Sequence, residues 1–349
     1  MSSGSLLIVI PYPQKSGIFS VYMTGYLDQY KKLGYEITTE KLYFWEGKIR
    51  YSLKWLYLMR YLADRKKTIL LHVHTIPASG PFIILFLLLS RVLNRKVIVV
   101  SHETVQTYAK HLPRFARWIA YFYESLVVHL SSFYVVHTSF HKKEIESFAP
   151  TPKLRVIPHP AVKVEVKERE RTIWGFYGML SAKKGVDLLI DTYQEFPPGS
   201  LPQLKIYGAA APGEEAYYES CRQMVKSEFS SLIHFTGMIS EADKAEEFSK
   251  LSLMILPYRY ISQSGVLSEA TMHRVPFLAS DLTFFRDFKD KFGCGRLFKT
   301  EDKESLKEEF VKISKDPLCI SDEEFAALQN ELSIERCAGE FQKLISKQN

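Results

Sequence analysis

The chain has 349 residues, enough for two domains of ordinary size, each with its own core. Hydrophobic residues make up 46% and charged residues 24%, which excludes a disordered or collagen-like chain. The formal net charge of +7 is unevenly carried: residues 1–160 hold 21 Lys and Arg against 9 Asp and Glu, and the remainder holds 25 against 30.

Residues 1–10 are apolar but lack a basic leading segment, and Pro11 and Pro13 follow at once. They read as a first strand over 5–10 rather than a signal peptide. A helix over 17–33, a strand over 68–74, a helix over 80–92 and a strand over 97–101 come next. A helix over 113–130, a strand over 133–137 and a helix over 139–148 continue the alternation. The longest apolar run, Pro81 to Leu89, falls well short of the roughly 20 residues that span a bilayer. Pro150, Pro152, Pro158 and Pro160 bracket a short strand over 154–157, and the charged segment 163–171 reads as a linker. Alternation resumes at Ile173 and runs to about residue 315. The pattern predicts two doubly wound α/β units joined by a hinge. The four cysteines, Cys221, Cys294, Cys319 and Cys337, show neither C-x-x-C nor zinc spacing, which suits free thiols in a reducing compartment.

The positive excess of the first half calls for an anionic neighbour. Two stretches sharpen this. Over 48–67 a helical spacing puts Tyr51, Trp55, Leu58 and Leu62 on one face and Arg50, Lys54, Tyr61 and Arg65 beside it. Over 110–126, Phe115, Ile119, Phe122 and Leu126 form an apolar stripe, and Lys110, Arg114, Arg117 and Tyr121 a basic one. Such helices either pack their apolar stripe on the sheet or lie at an anionic membrane interface. No nucleic-acid recognition motif is present, so no nucleic-acid partner is expected.

Two segments carry chemistry. In 173–190, IWGFYGMLSAKKGVDLLI, an apolar strand meets a turn opened by Gly178, then Lys183, Lys184, Gly185 and a helical face. A strand, a basic turn and a helix N-terminus together make a phosphate cradle, because backbone N–H groups and the helix dipole point at the anion. In 254–281, a strand over 254–256 stops at Pro257, a small polar stretch spans 262–265, and a helix over 266–272 holds Glu269. A strand over 275–279 then ends at Asp281. Two such turns suit one diphosphate held from two sides.

Together these segments resemble the retaining, sugar-nucleotide-dependent glycosyltransferases of family 4, also described as glycosyl transferases group 1. Segment 173–190 is similar to the family's strand, Gly-Arg-Leu, Lys-Gly and helix motif. LKIYG at 204–208, IHFTGMI at 233–239 and the acidic motif in 254–281 follow in the family's order. In the first half, 7–35 resembles the glycine-bearing acceptor loop and the strand entry after it, and VIVVSHET at 97–104 resembles the strand carrying a His. Met179 stands where the family has an Arg, and Ile261 where it has the first Glu of a Glu-x7-Glu pair. The resemblance implies an α/β, GT-B fold: two Rossmann-like, doubly wound domains facing each other across a cleft. The first would span 1–162 plus a crossover helix in 335–349, and the second, sugar-nucleotide-binding, 172–334.

The resemblance also implies site residues. Lys184 would bind phosphate, Arg259 would replace the missing Arg, and His102 would contact the donor sugar near the reacting carbon. Gly178, Gly208, Met238, Ser264, Gly265, Val266 and Glu269 would line the donor, with Glu269 accepting from ribose hydroxyls. Gly17 and His74 would face the acceptor. His72 and His74 form an H-x-H, but two ligands with no carboxylate beside them do not make a metal site, and none is expected. The expected activity is metal-independent, retaining hexosyl transfer from a UDP- or GDP-sugar to a glycan or lipid-linked acceptor. No cofactor is needed, and the setting is cytoplasmic, peripheral on the inner face of the membrane. The alternatives are a sugar-nucleotide epimerase and a non-catalytic, membrane-associated relative.

Overall fold

A computed structural model describes residues 4–10, 18–41, 57–73, 82–105, 109, 112–161, 163–164, 169–261 and 263–347. The chain divides into two compact units, 1–160 with 332–349, and 161–331. In the first unit the elements are β1 (Ser5–Ile10), α1 (Ile18–Lys32), β2 (Glu36–Lys41), β3 (Lys67–Val73), α2 (Phe82–Val92) and β4 (Val97–Ser101). α3 (Arg114–Leu130), β5 (Phe133–Val136), α4 (Ser139–Glu146) and β6 (Leu154–Val156) follow. These strands form one parallel sheet in the order β2-β1-β3-β4-β5-β6.

The strands are apolar almost throughout because both faces of the sheet are covered, as crossover helices require. Leu7, Val9, Ile69, Leu71, Val97 and Val99 bury toward α2 and α3. Their chain neighbours Leu6, Ile8, Leu70, Ile98 and Val100 bury on the opposite face, with Tyr26 and Tyr30 of α1. That second face also receives the last helix of the chain, α12 (Ile334–Ser346), through Ile334, Cys337, Ala338, Phe341 and Leu344. Gly25 makes room for it: a Cβ there would lie 2.3 Å from Ile334 Cδ1. The C-terminal helix is therefore part of the first unit's core.

The second unit runs β7 (Ile173–Tyr177), α5 (Val186–Tyr193), β8 (Gln203–Tyr207), α6 (Glu215–Gln223), β9 (Ile233–Gly237), α7 (Glu241–Ser249) and β10 (Leu251–Leu256). It continues with α8 (Gly265–Met272), β11 (Phe277–Ser280), α9 (Thr283–Phe292), β12 (Gly295–Phe298), α10 (Lys303–Lys315) and α11 (Asp322–Leu332). Its sheet is parallel, in the order β12-β11-β10-β7-β8-β9. Both faces of β7 are again buried, with Trp174 against Phe310 of α10 and Tyr177 against Phe248 of α7. Arg171, at the end of the segment read as linker, donates to the carbonyls of Leu251 and His273 in this unit.

Two expectations of the sequence need correction. The helix expected over 48–67 does not reach 67: residues 59–62 form a 3-10 turn, Asp64 accepts from the Lys66 N–H, and Lys67 already belongs to β3. Leu58 and Leu62 are buried, the packing alternative for that stripe, while 48–56 lies outside the described residues. β2 is absent from the alternation of apolar runs read along the chain, although the resemblance placed a strand entry after residue 35, where it begins. EITTEK is polar enough to pass for a loop, and an edge position tolerates that polarity. The cysteines are all free, with Cys221, Cys294 and Cys337 buried and Cys319 exposed.

If α12 closes the first unit's core, Phe341→Ala costs roughly 3–5 kcal/mol of stability by loss of buried area and cavity formation. Denaturant unfolding checks this, and a loss under about 1 kcal/mol would mean that the helix is only loosely docked.

Candidate functional site

In the second sheet the strand order reverses between β7 and β10. The loops that leave the C-terminal ends of these two neighbouring strands are the two segments singled out from sequence. A doubly wound sheet binds ligands at such a switch point.

The two loops are locked together. The Arg259 N–H donates to the Lys183 carbonyl, 2.9 Å away. Gly185 has φ +65°, and a Cβ there would stand 2.0 Å from the Pro257 carbonyl oxygen. Both facts demand glycine, so the residue before α5 is set by the backbone of the other loop. Gly178 (φ +137°) and Gly208 (φ +138°) end β7 and β8, and a Cβ on Gly208 would meet the Gly178 carbonyl at 1.9 Å. The turn at Gly178 reaches the first turn of α8, where a Cβ would come 3.9 Å from Val266 Cγ2.

Lys184 ends a 3-10 turn over Ala182–Lys184, with its ammonium 3.6 Å from the centre of the Tyr258 ring. Among the described residues the ammonium has no hydrogen bond or ion pair. Burial, and then the charge of Lys183, push its pKa down to about 7. An anion beside it would restore its charge. At the head of α8, Ser264 Oγ accepts the Leu267 N–H at 3.1 Å. The Gly265 and Val266 N–H groups have no acceptor among the described residues. A cation on an aromatic platform and free amides at a helix N-terminus are what a diphosphate takes.

Arg259 is employed differently from the free phosphate ligand expected of it. Its guanidinium forks onto Asp187 at 2.9 and 2.7 Å, reaches Glu301 at 3.0 Å and bonds the Ala182 carbonyl at 2.6 Å. Burial would raise the Asp187 pKa, but hydrogen bonds from Arg259 and Tyr217 hold it below the usual carboxylate value. Arg259 therefore braces the turn that carries Lys184. Glu269 is also engaged: the buried Lys244 of α7 donates to its Oε1 at 2.7 Å. Met179 and Met238 are exposed beside the glycine turns. A separate cavity of about 650 Å³ is lined by Arg169, Arg171 and Arg274, whose partners are Glu246, backbone carbonyls and Asp322.

In the first unit His102 sits just past β4, buried between His72 and His137. The loop after it is pinned by two buried acids: Glu124 accepts the Val105 N–H and Glu144 accepts the Thr104 hydroxyl, each at 2.8 Å. Gly17 and His74 lie outside the described residues. No cluster suited to a metal ion occurs among the described residues. Tyr258, Asp187, Lys244 and His137 also belong to these sites and carry little local signal in the sequence. Only the Pro257-Tyr258-Arg259 run and the His at the end of β5 signalled any of them.

Residues 161–330 match the family described as Glycosyl transferases group 1. No curated protein matches the sequence. Sucrose-phosphate synthase from Thermosynechococcus elongatus superposes with a TM-score of 0.77 at 13% identity, over 98% of both chains. Anabaena Alr3699/HepE, solved with UDP and glucose, gives 0.76 at 14% identity over 99% of this chain and 100% of that one. A glycosyltransferase from Rickettsia africae gives 0.72 at 10% identity over 99% and 100%.

The buried histidines set an acid limit. Burial pushes His72 and His159 down to about 3, and His137 and His141 down to about 4. Unfolded, each titrates near 6.5. Stability is therefore full above about 6.5 and lost as pH falls toward 4, at about 2 kcal/mol per ring by pH 5. Glu124, raised to about 8 by burial, acts in the opposite sense, losing its contribution as pH rises through 8. Four rings outweigh one carboxyl on the acid side. Thermal melts should show a much lower Tm at pH 5 than at pH 7, and equal values would contradict the burial of neutral rings.

Residues 161–330, within the second unit, are thus similar to the Glycosyl transferases group 1 family, and the chain has the fold of GT-B glycosyltransferases.

Proposed function

We propose that the protein transfers a hexosyl group from a nucleoside diphosphate sugar, UDP- or GDP-linked, to a glycan or lipid-linked acceptor, with retention at the anomeric carbon. The observation that carries this reading is the pairing of Lys184 on Tyr258 with the free amides of Gly265 and Val266, across the β7/β10 switch point of a Glycosyl transferases group 1 domain. The structural neighbour bound to UDP and glucose supports a uridine donor.

As the glycosidic bond breaks, negative charge grows on the leaving phosphate. Lys184 and the α8 amides meet it, preorganised at no further cost. Arg259 acts through the turn it braces. Glu269, held by Lys244, keeps one edge of the donor pocket and offers its carboxylate to the ribose. The chain has no Asp-x-Asp, and the diphosphate is read as held without a metal. Retention places the acceptor hydroxyl on the same face as the leaving phosphate, which helps to take its proton.

Nucleotide binding tests the donor site. In a panel of UDP, GDP, ADP, dTDP and CMP, one base should stabilise the fold by about 2.7 kcal/mol at 100 times Kd, read as a higher melting temperature. Lys184→Ala should lower turnover on the order of 10²–10³-fold with folding intact. No shift with any nucleotide would favour the reading as a non-catalytic relative.

The same reading places the protein at an anionic membrane surface, where a lipid-linked acceptor is found. α3 turns Ala120, Glu124, Val127 and Val128 to the core. Its apolar stripe points outward: Phe115 is 74% exposed, Trp118 64%, Ile119 44% and Phe122 54%, with Trp118 and Phe122 stacked at 5.7 Å. Arg114 and Arg117 flank the stripe in a unit rich in Lys and Arg. Among the described residues no helix is long and apolar enough to cross a membrane. Vesicles with phosphatidylglycerol should co-sediment the protein, vesicles of phosphatidylcholine alone should not, and Phe115→Ala with Trp118→Ala should abolish the difference. Equal sedimentation by both variants and both vesicles would remove this face from the account.

A further inference from the structure

Three buried imidazoles stand in series at the C-terminal ends of neighbouring strands in the first sheet. His72 lies on β3, His102 just past β4 and His137 just past β5. His72 Nδ1 is 3.3 Å from His102 Nε2, and His102 Nδ1 is 3.2 Å from His137 Nε2. His137 Nδ1 is 2.9 Å from the Ile157 carbonyl oxygen, next to β6.

The direction of this series follows from its last member. A carbonyl only accepts, so His137 Nδ1 carries the hydrogen. A neutral imidazole has one N–H and one lone pair, so His137 Nε2 is bare and accepts from His102 Nδ1. A neutral His102 then has a bare Nε2, which accepts from His72 Nδ1. Burial holds His72 and His137 neutral at physiological pH.

We infer that His72, His102 and His137 form a one-way hydrogen-bond chain, all in the Nδ1–H tautomer, in which the Ile157 carbonyl fixes the tautomer of His102 through His137. Free imidazole side chains favour the other tautomer, so three in a row need such an anchor. His137 is thereby a positioning residue for His102. It makes His102 Nε2 a lone-pair acceptor, so a ligand hydroxyl that reaches this ring must donate to it, displacing His72. The open end of the chain, His72 Nε2, is also an acceptor. A hydroxyl donating there extends the chain in its own direction, which strengthens each link. His159 packs against His137 at 5.5 Å between ring centres but donates elsewhere, its Nδ1 being 3.1 Å from the Pro160 carbonyl oxygen. The part of the inference that concerns a sugar hydroxyl rests on the reading of His102 as a donor-sugar contact.

Long-range proton–nitrogen NMR of the full chain, labelled with ¹⁵N-histidine at pH 7.5, reads the tautomers directly. Single Phe substitutions at 72, 102 and 137 identify the three rings by loss of their signals. The expected spectrum shows all three with protonated Nδ1 and bare Nε2. The chain also predicts an asymmetry that simple packing does not. His137→Phe releases His102 to the Nε2–H tautomer, whereas His72→Phe leaves it unchanged. A ring of the unsubstituted protein with protonated Nε2, or equal responses to the two substitutions, would overturn the inference. Should His137→Phe fail to fold, the unsubstituted spectrum decides alone. In transfer assays, His137→Phe should lower kcat roughly tenfold, the loss of one hydrogen bond, with the Kd for UDP unchanged. An unchanged kcat would confine the chain to a structural part. Failure of the unsubstituted protein to bind any nucleotide would defeat the transferase reading and leave the tautomers untouched.

Discussion

The contact between Gly185 and the Pro257 carbonyl is the constraint on which the donor-side geometry depends. A Cβ at 185 would stand 2.0 Å from that oxygen, and the backbone is left-handed there. Only glycine lets the end of β10 lie against the start of α5. Once they lie so, Lys184 falls on the Tyr258 ring and the Arg259 amide bonds the Lys183 carbonyl. Sheet topology supplies the other half: β7 and β10 are neighbours although two strands and three helices separate them in the chain. A parallel sheet whose order reverses brings two distant loops to one place with no need for either to be long.

The two units solve different electrostatic problems at the C-terminal ends of their sheets. In the second, a half-buried cation lies on an aromatic ring with no carboxylate bonded to it among the described residues. The neighbouring Arg259 is spent on Asp187 and Glu301, which keeps those acids from neutralising Lys184. In the first unit the buried groups are neutral rings, tied to one another and to a carbonyl. Burial of neutral imidazole is cheap near pH 7 and costly in acid, so polarity there is set by hydrogen-bond direction rather than by charge.

Much of the fold was legible because proline and glycine punctuate apolar runs. β1 ends at Ile10, β7 at Tyr177 and β10 at Leu256, where the sequence places each stop. The edge strand β2 was less so, since its exposure removes the apolar signal. Among site residues, the backbone-determined ones were readable: Gly178, Gly185 and Ser264 stand at positions whose conformation or cap the motif demands. The side chains were not. Arg259 finds Asp187 at a separation of 72 residues, and Glu269 finds Lys244 at 25. Neither pairing follows any local spacing, and each changes what the charge is free to do. The outward stripe of α3 was visible as a stripe, but its orientation depends on Glu124 being drawn into the core by Tyr134 and the Val105 N–H.

The central claim for the donor side is that Lys184 is an amine of lowered pKa that a diphosphate recharges. Calorimetry of UDP binding at pH 8, in two buffers of different ionisation enthalpy, measures the protons taken up. An amine with a pKa of about 7 is mostly neutral at pH 8, so binding should draw in close to one proton. The uptake should vanish at pH 6, where the amine is already charged, and in Lys184→Ala. Binding at pH 8 with no proton uptake would contradict the account, because the phosphate would then be held by something other than Lys184.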